Sequence, residues 1–513
     1  MSAKGIMIQG TASSVGKSLI TAGLCRIFRQ DGYRVVPFKS QNMALNSFIT
    51  ADGMEMGRAQ VVQAEAAGAE PDVRMNPILL KPTTDKKAQV IINGKVHSDM
   101  SAEEYHAFKP RLRDMIKTAY GQLASENDIV VIEGAGSPAE INLKDRDIVN
   151  MGMAELAGAP VLLVGDIDRG GVFASLAGTM LLLSEDERRR VKGIIINKFR
   201  GDIGILKPGI EMIEDITRVP VIGVIPYTRL AIDDEDSVCE KLSERKLEGA
   251  CETDIAVIRL PHISNFTDFN ALENIPGVRV RYVEDVQGLG SPDLVVLPGT
   301  KNTVGDMLHL RASGLEKAII LLNGKGTPVF GICGGYQMLG TEIRDPQGVE
   351  SNMEKVAGMG LMDIVTVMQQ QKRTVQVDAE ICRNPGILEG TQGLMVKGYE
   401  IHMGRTSLGS VCKPFSTVYT NGSGAAAQPD GACSPDGKAA GTYIHGIFDN
   451  SEFTLHMINN LRRKKGLDEL DGQRVDHQAF KQAEYDRLAQ LLREHLDIAR
   501  VYEIINTWEE GAV

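Results

Sequence analysis

Short apolar runs alternate with longer stretches of helical periodicity through the first half of the chain. Runs rich in valine and isoleucine are typical of strands that are buried on both faces, and the longer stretches between them fit helices. This alternation predicts a parallel sheet covered by helices on both sides. The predicted strands span residues 5–10, 33–39, 128–134, 160–166, 192–198 and 220–226.

A second series of strands follows a charged, turn-rich stretch. Residues 346–438 are richer in Gly, Gln and Asn and alternate less clearly, so strands are only weakly predicted there. Apolar residues return at helical spacing over 480–505, which predicts a helical tail packed on the second domain. The predicted strands of this half span residues 255–261, 278–284, 292–299, 327–333 and 439–446.

These patterns predict an α/β protein with two doubly wound, mainly parallel-sheet domains and a helical C-terminal tail. The expected boundaries are 1–232 for the first domain, 233–253 for a linker, 254–450 for the second domain and 451–513 for the tail. A length of 513 residues agrees with this division, because one hydrophobic core rarely serves so long a chain.

Charge and composition narrow the function. The formal net charge is −11 and no basic patch stands out, which argues against a nucleic-acid partner. No apolar run reaches the ~18 residues of a membrane helix, and no signal peptide precedes the first strand. Seven cysteines without paired metal-type spacing fit a reducing compartment. We therefore expect a cytoplasmic protein that acts on small molecules.

The stretch QGTASSVGKS at residues 9–18 joins the first strand to a helix. Small residues allow backbone N–H groups to converge on phosphate oxygens, and the helix N-terminus adds partial positive charge. Lys17 would neutralise the β- and γ-phosphates, and the Ser18 hydroxyl would reach Mg²⁺. The alternative is a loop that only turns the chain. Thr11 stands where the common motif has its first glycine. The predicted nucleotide-binding residues here are Gly10, Thr11, Val15, Gly16, Lys17 and Ser18.

Polar residues also follow other predicted strands. Lys39, Glu133, Asn197 and Lys198 stand at strand ends, and ligands of open α/β sheets bind beyond the carboxyl ends of the strands. Taken singly, Lys39 and Asn197 are equally compatible with structural roles. Together these residues predict one pocket for ATP.

The loop sequence GTASSVGKS resembles that of the dethiobiotin synthetase-like group, whose members make acyl phosphates from carboxylates and ATP. The resemblance implies that Glu133 binds Mg²⁺ beside Ser18 and that Lys39 holds the transferred phosphoryl group. It also implies that Asn197 and Lys198 contact the adenine. The second Mg²⁺ ligand is left open.

A cysteine lies at a sharp turn in PVFGICGGYQMLG, residues 328–340. A nucleophile between a strand and a helix is lifted clear of the sheet, and the following backbone N–H stabilises an oxyanion. Cys333 would then attack an amide, with His445 as its acid and base. The alternative is a buried structural thiol. Gly299 and Thr300, at another strand end, offer further backbone donors.

This half resembles the class I glutamine amidotransferases, whose motif G-x-C-x-G-x-Q appears as Gly331, Cys333, Gly335 and Gln337. The resemblance implies that Cys333 attacks glutamine, that Gly334 contributes to the oxyanion hole and that Gln337 supports the glutamine site. The family usually has H-x-E, but Gly446 and Ile447 follow His445. The residue that orients His445 is thus left open, and His402 in GYEIHMGRT competes with it.

The order of the two domains and three further motifs resemble the cobyric acid synthase family over nearly the whole chain. The resemblance implies ATP- and glutamine-dependent amidation of the b, d, e and g carboxylates of adenosylcobyrinate a,c-diamide. The three motifs span residues 37–47, 165–175 and 398–406. The residues implied near the substrate or the phosphate are Gln41, Asn42, Asn46, Asp145 and Asp147, although the asparagines could equally cap a helix.

Several other functions are weighed against this one. A cobyrinate a,c-diamide synthase has a different sequence after the second strand, where Ser40, Gln41 and Asn42 stand here. A partitioning ATPase would carry an early lysine in its loop, and CTP synthase keeps H-x-E. A non-catalytic corrinoid or nucleotide sensor would not need Cys333. The order of the amidations, the route of ammonia and any self-association are left open.

Overall fold

The computed structural model of the chain describes residues 3–84, 87–232, 252–383, 385–420, 427–471 and 476–509. It divides into two compact units. The first comprises Met1–Ala44, Glu55–Ser237 and Lys481–Val513, and the second comprises Leu45–Met54 and Val238–Phe480. Residues 233–251, which make up most of the predicted linker, lie outside the described residues.

A six-stranded parallel sheet forms the centre of the first unit. Its inner strands are apolar and almost completely buried, which agrees with the predicted cover of helices on both faces. All six strands predicted in this half are confirmed. In spatial order the strands are Val221–Pro226, Val191–Phe199, Val161–Asp166, Lys4–Gly10, Ile129–Glu133 and Val35–Phe38.

A smaller sheet in the first unit has no counterpart in the predictions. Two of its strands form a hairpin around Asn93 and Gly94, whose φ angles are 47° and 75°. An Asn-Gly pair with positive φ at both positions is the usual connection of such a hairpin. The strands are Gln41–Met43, Ile78–Thr84, Lys87–Ile92 and Lys95–Ser101.

The second unit is built on another mainly parallel sheet, as the sequence predicts. Five of its strands are parallel, and the last strand pairs antiparallel at one edge. The loop after Val329–Ile332 therefore lies at the edge of the sheet where the parallel strands end. In spatial order the strands are Val278–Val283, Thr253–Ile258, Leu294–Leu297, Val329–Ile332, Ala439–Thr442 and Ala432–Cys433.

A mainly antiparallel sheet fills the segment for which the sequence gives only weak strand predictions. Its long central strand alternates clearly at both ends but carries an exposed polar stretch, QQQKR at 369–373, that hides the period of two. The strands are Glu342–Arg344, Lys355–Ala357, Ile364–Ile381, Met395–Leu408, Ser416–Thr420, Gln428–Asp430 and Ile444–His445. Two further short strands span Ser47–Ile49 and Glu55–Gly57.

Helices pack against these sheets. No helix in the described part of the chain combines the length and apolar character that a membrane crossing requires. The α-helices span Lys17–Gln30, Arg58–Ala67, Ala102–Phe108, Arg113–Glu126, Met151–Ala157, Val172–Leu182, Glu185–Arg190, Ile203–Thr217, Asn270–Glu273, Val286–Leu289, Thr303–Ala312, Leu315–Gly324, Gly334–Met338, Ser451–Lys464, His477–His495 and Ile498–Thr507.

The prediction that the whole tail packs on the second domain is wrong. The helix Ser451–Lys464 does belong to the core of the second unit, but the chain from Lys481 onward belongs to the first. Leu488 and Leu492 lie in the same apolar core as the helix Lys17–Gln30. Gly23 makes room for them, since a Cβ there would lie 2.3 Å from a methyl carbon of Leu492.

Candidate active sites

The loop after the central strand of the first unit has the cramped backbone that a phosphate cradle needs. Ser14 and Gly16 have φ angles of 59° and 96°, in the left-handed region that favours glycine. A Cβ on Gly10 would lie 2.5 Å from a methyl carbon of Val15. The amide of Thr11 donates to the Val164 carbonyl, which ties the start of the loop to the next strand.

Three of the predicted residues, Ser18, Lys39 and Glu133, meet at one carboxylate. Glu133 accepts hydrogen bonds from the Ser18 hydroxyl and the Lys39 ammonium, each at 2.9 Å, and a further one from Gln63. Burial raises the pKa of Glu133, but the ammonium groups of Lys39 and Lys17 and the hydrogen bonds outweigh burial and hold that pKa below its ordinary value. Glu133 is therefore an ionised, fully buried carboxylate beside the loop.

Lys17 is held by the loop itself. Its ammonium donates to the Ala12 carbonyl at 2.9 Å and to the Gly136 carbonyl at 3.3 Å, and the residue is only 3% exposed. The ammonium thus lies over the loop, as the predicted phosphate contact requires.

Asn197 and Lys198 donate hydrogen bonds to backbone carbonyls of the same loop. The Asn197 amide donates to the Val15 carbonyl at 2.8 Å, and the Lys198 ammonium donates to the Ser14 carbonyl at 2.7 Å. A Cβ on Gly16 would lie 2.1 Å from the Asn197 amide nitrogen, so glycine is needed there. The contacts of both side chains are therefore those of residues that brace the loop.

The predicted substrate residues of the first unit differ in how their side chains are used. Asn42 is buried, and its oxygen accepts from the Met43 amide at 3.0 Å. Asp147 accepts from three backbone amides at the start of the helix Met151–Ala157, at 2.8–3.0 Å. Gln41 is partly exposed and accepts a bond of 2.6 Å from a tyrosine hydroxyl, while Asp145 is exposed. Of these four predicted residues, Asn42 alone is buried.

In the second unit, Cys333 lies at the predicted sharp turn. Its φ and ψ angles are 51° and −109°, a strained combination for a residue with a side chain. The neighbouring glycines are sterically required: a Cβ on Gly331 would lie 2.6 Å from the backbone of Tyr336, and one on Gly335 would lie 2.0 Å from the Leu297 carbonyl oxygen. This packing holds the strained turn in place.

His445 is the imidazole that the structure brings near Cys333, whose thiol donates to the Ile401 carbonyl at 3.5 Å. Its Nδ1 atom lies 2.7 Å from the Oδ2 atom of Asp268, whose other oxygen accepts from the Gly446 amide at 2.9 Å. Burial alone lowers the pKa of His445, but the Asp268 carboxylate and Cys333 outweigh burial and raise the pKa to about 10. His445 and Asp268 thus have the geometry of a base and its orienting acid, beside the candidate nucleophile Cys333.

Asp268 is the site residue that the sequence analysis missed. It lies in the turn Phe266–Phe269, 177 residues before His445, and is 3% exposed. The H-x-E pattern directs attention to the residue two positions after the histidine, whereas the acid comes from another part of the fold. Asp268 ends the short polar stretch SNFTD, residues 264–268, and nothing in this stretch indicates that its acid orients a histidine.

The predicted oxyanion residues surround the same turn. A Cβ on Gly334 would lie 3.2 Å from the Thr300 amide nitrogen, so the two backbones approach closely, and one on Gly299 would lie 2.9 Å from the His445 ring. Gln337 is buried, with its oxygen bonded to the Thr303 hydroxyl and its nitrogen donating to the Tyr443 hydroxyl at 3.0 Å. The Gln337 side chain therefore supports the walls of the site.

His402, the competing histidine, follows Ile401, whose carbonyl accepts from the Cys333 thiol at 3.5 Å. Its ring is stacked on Tyr443 at 3.7 Å between centroids, and its Nδ1 atom lies 2.8 Å from the Gly404 carbonyl oxygen. It lines a polar cavity of about 880 Å³ together with Glu400, Arg405 and Tyr443. No carboxylate orients its ring as closely as Asp268 orients His445 within the described residues, so the geometry favours His445 as the base.

Two family models match the chain. Residues 6–237 match a CobQ/CobB/MinD/ParA nucleotide binding domain, and residues 254–453 match a CobB/CobQ-like glutamine amidotransferase domain. A protein of Thermoanaerobacter sp. (strain X514) named cobyric acid synthase is 56% identical, and the match covers 98% of this chain and 99% of that protein. A protein of the same name from Yersinia enterocolitica is 55% identical, with 98% of each chain covered.

Proposed function

Because the chain belongs to the cobyric acid synthase family, we propose that it amidates the b, d, e and g carboxylates of adenosylcobyrinate a,c-diamide, using ATP and glutamine, to give adenosylcobyric acid. The observation that carries this proposal is the grouping of Cys333 with His445, whose ring is bonded to Asp268, because a ligase that used free ammonia would not need it. The cluster of Lys17, Lys39 and Glu133 beside the phosphate loop supplies the complementary half of the chemistry.

Glutamine hydrolysis follows from the first group. The Cys333 thiolate attacks the carboxamide carbon of glutamine, and backbone N–H groups near Gly334 and Thr300 stabilise the oxyanion. His445 donates a proton to the leaving ammonia, and a thioester forms on the sulfur. Water then attacks the thioester with His445 as the base, which releases glutamate and restores the thiolate.

Carboxylate activation follows from the second group. A carboxylate oxygen of the substrate attacks the γ-phosphorus of ATP, which gives an acyl phosphate and ADP. Lys17 and Lys39 neutralise the negative charge that spreads over the phosphoryl oxygens. Ammonia then attacks the acyl carbon and phosphate leaves, so that an amide replaces the acid. Gln41 and Asp145 are the proposed contacts to the substrate.

The same residues fit a magnesium ion. Ser18 Oγ and the ionised Glu133 carboxylate, 2.9 Å apart, are hard oxygen donors beside the phosphate loop. Mg²⁺ is usually held by one or two such groups together with phosphate oxygens and water, and it neutralises nucleotide charge when bound. We propose Ser18 and Glu133 as its protein ligands.

The experiment incubates the purified chain with ATP, Mg²⁺, glutamine and adenosylcobyrinate a,c-diamide, and follows the corrinoid by mass spectrometry. We expect successive mass decreases, one for each hydroxyl replaced by an amino group, until four have occurred. No conversion of this substrate, combined with conversion of the corrinoid that lacks the a and c amides, would instead assign the chain the a,c-diamide synthase reaction.

Two variants assign the halves of the chemistry. Cys333→Ala should lose amidation with glutamine but keep it with a high concentration of ammonium, whereas Lys17→Ala should lose both. The matched controls Cys382→Ala and Lys207→Ala, which alter residues outside both sites, should keep both activities. A Cys333→Ala variant that still uses glutamine would contradict the assignment of the nucleophile.

A further inference from the structure

The segment Leu45–Met54, here called the strap, belongs to the second unit although its neighbours in sequence belong to the first. Ala44 and Glu55, which flank it, are residues of the first unit. The strap also lies inside the stretch that matches the nucleotide binding domain, six residues after Lys39. A piece of the chain assigned by sequence to one domain is thus packed in the other.

The strap is bonded to the turn that carries Asp268. The side-chain oxygen of Asn46 accepts from the Phe266 amide at 3.2 Å, and the Ser47 amide donates to the side-chain oxygen of Asn265 at 3.0 Å. Asn265 has a φ of 52°, in the left-handed region, and begins the 3₁₀ turn Phe266–Phe269. Asn46 and Asn265 are each only 2% exposed, so these bonds are shielded from water.

The strap also holds the ring that lies on His445. The Tyr399 hydroxyl donates to the Ser47 carbonyl at 3.0 Å, and the Phe48 ring packs against Tyr399 with centroids 5.3 Å apart. Tyr399 in turn is stacked on His445, with ring centroids 5.4 Å apart and an angle of 19° between the planes. The strap therefore reaches both partners of the Asp268–His445 pair, one through a backbone turn and one through a ring.

We propose that the strap positions the machinery of glutamine hydrolysis, with Asn46 fixing the turn that carries Asp268 and Tyr399 fixing the plane of the His445 ring. A shift of this turn or ring would lengthen the bond between Asp268 and His445. Asn46 is thereby a positioning residue of the second unit and not a substrate contact, in contrast to the expectation from its motif. This inference rests on the proposed roles of Cys333, His445 and Asp268.

The experiment uses the full-length chain and measures two activities of each variant. Glutamate release in the presence of ATP, Mg²⁺ and the corrinoid reports glutamine hydrolysis, and amidation with ammonium reports the synthetase reaction alone. Asn46→Ala leaves the buried Phe266 amide without its acceptor, so we expect kcat for glutamine to fall ~10-fold, with KM and ammonium-dependent amidation changed less than about twofold. Ala51→Ser, an exposed strap residue, is the matched control and should resemble the parent protein.

Tyr399 provides a second test that does not depend on the folding of Asn46→Ala. Tyr399→Phe keeps the ring on His445 and loses only the bond to Ser47, so kcat should fall about threefold. Tyr399→Leu loses the ring as well, so its kcat for glutamine should fall ~10-fold or more. Its KM and its ammonium-dependent amidation should again stay close to the parent values.

Parental glutamine kcat in both Asn46→Ala and Tyr399→Leu would overturn the inference. An equal loss with glutamine and ammonium in Asn46→Ala would also overturn it, because that result assigns Asn46 to the substrate or to general stability. Cys333→Ala separates this failure from failure of the proposed function. If Cys333→Ala still hydrolyses glutamine, the proposed nucleophile is wrong, whatever the strap variants do.

Discussion

Asp268→Asn is the sharpest test of how His445 is held, because the substitution keeps the shape of the side chain and removes its charge. The two carboxylate oxygens serve the His445 Nδ1 atom at 2.7 Å and the Gly446 amide at 2.9 Å. An amide cannot serve both as acceptor. If its oxygen faces Gly446, its NH₂ group meets Nδ1 and forces the ring proton onto the nitrogen that faces Cys333. The ring then cannot take the thiol proton.

The size of the effect follows from the bond that is lost. A hydrogen bond to a charged group contributes about 1.5–3 kcal/mol, which corresponds to roughly 10- to 150-fold in rate. The wrong tautomer adds to this loss, and the same exchange in a Ser-His-Asp triad lowers kcat about 10⁴-fold. We therefore expect kcat/KM for glutamine to fall between about 10²- and 10⁴-fold.

The substitution should also change the pH dependence. The Asp268 carboxylate outweighs burial and raises the pKa of His445 to about 10, so the imidazolium persists into alkaline solution. Without that charge burial dominates, and burial lowers the pKa of a histidine. The alkaline limb of the glutamine profile should therefore move to lower pH in Asp268→Asn.

The assay is glutamate release by the full chain from about pH 6 to the alkaline limit of stability, with ammonium-dependent amidation measured alongside. Asp285→Asn is the matched control, since this exposed aspartate caps a backbone amide and an amide oxygen can replace it. Parental glutaminase activity in Asp268→Asn, with an unmoved alkaline limb, would refute the role assigned to Asp268.

Three further substitutions test other parts of the structure. Gly335→Ala should lower the unfolding free energy by about 1–3 kcal/mol, because a Cβ there would lie 2.0 Å from a carbonyl oxygen. Gly324→Ala is the control and should leave this free energy unchanged, since a Cβ there would meet no packing neighbour within 4 Å among the described residues. Thermal unfolding compares the two variants. Burial raises the pKa of Glu350 to about 7, so its ionised form costs stability once the pH exceeds its unfolded pKa, near 4.5. Glu350→Gln should therefore raise Tm relative to the parent at about pH 8 but leave it unchanged near pH 4. The control Glu354→Gln, at an exposed position, should leave Tm unchanged at both pH values. Lys39→Ala should abolish amidation with either nitrogen donor while glutaminase activity persists, because it removes the ammonium bonded to Glu133; loss of glutaminase as well would contradict the separation of the two reactions.

Local patterns were sufficient to predict the parallel sheets and the grouping of polar side chains at their edges. Continuous apolar runs can only be buried strands or buried helices, and their length and flanking glycines decide for strands. The carboxyl ends of parallel strands meet at one edge, so Lys39 and Glu133 could be brought together from sequence although 94 residues separate them. The position of Cys333 could also be predicted from sequence, because its flanking glycines indicate the sharp turn.

Residues that act through tertiary contacts gave no such pattern. Asp268 reaches His445 from a separate turn, and Asn46 supports that turn from 220 residues away. Asn46 was predicted as a substrate contact because it shares a motif with Lys39, yet its side chain is buried against a backbone amide of the second unit. A single sequence does not distinguish an asparagine that bonds a buried backbone group from one that binds a ligand.

The two sites differ in the side-chain rearrangement that their proposed reactions require. In the second unit both oxygens of Asp268 are already bonded to His445 and Gly446, so this part of the proposed site is assembled without a ligand. In the first unit Lys39 is paired with Glu133 in a nearly waterless setting, at 10% and 1% side-chain exposure. If the Lys39 ammonium leaves that carboxylate to contact a transferred phosphoryl group, Glu133 remains buried without its main counter-charge. A replacement positive charge, such as the magnesium ion proposed at Glu133, must therefore arrive before Lys39 moves, which makes the synthetase site the one whose active arrangement depends on its ligands.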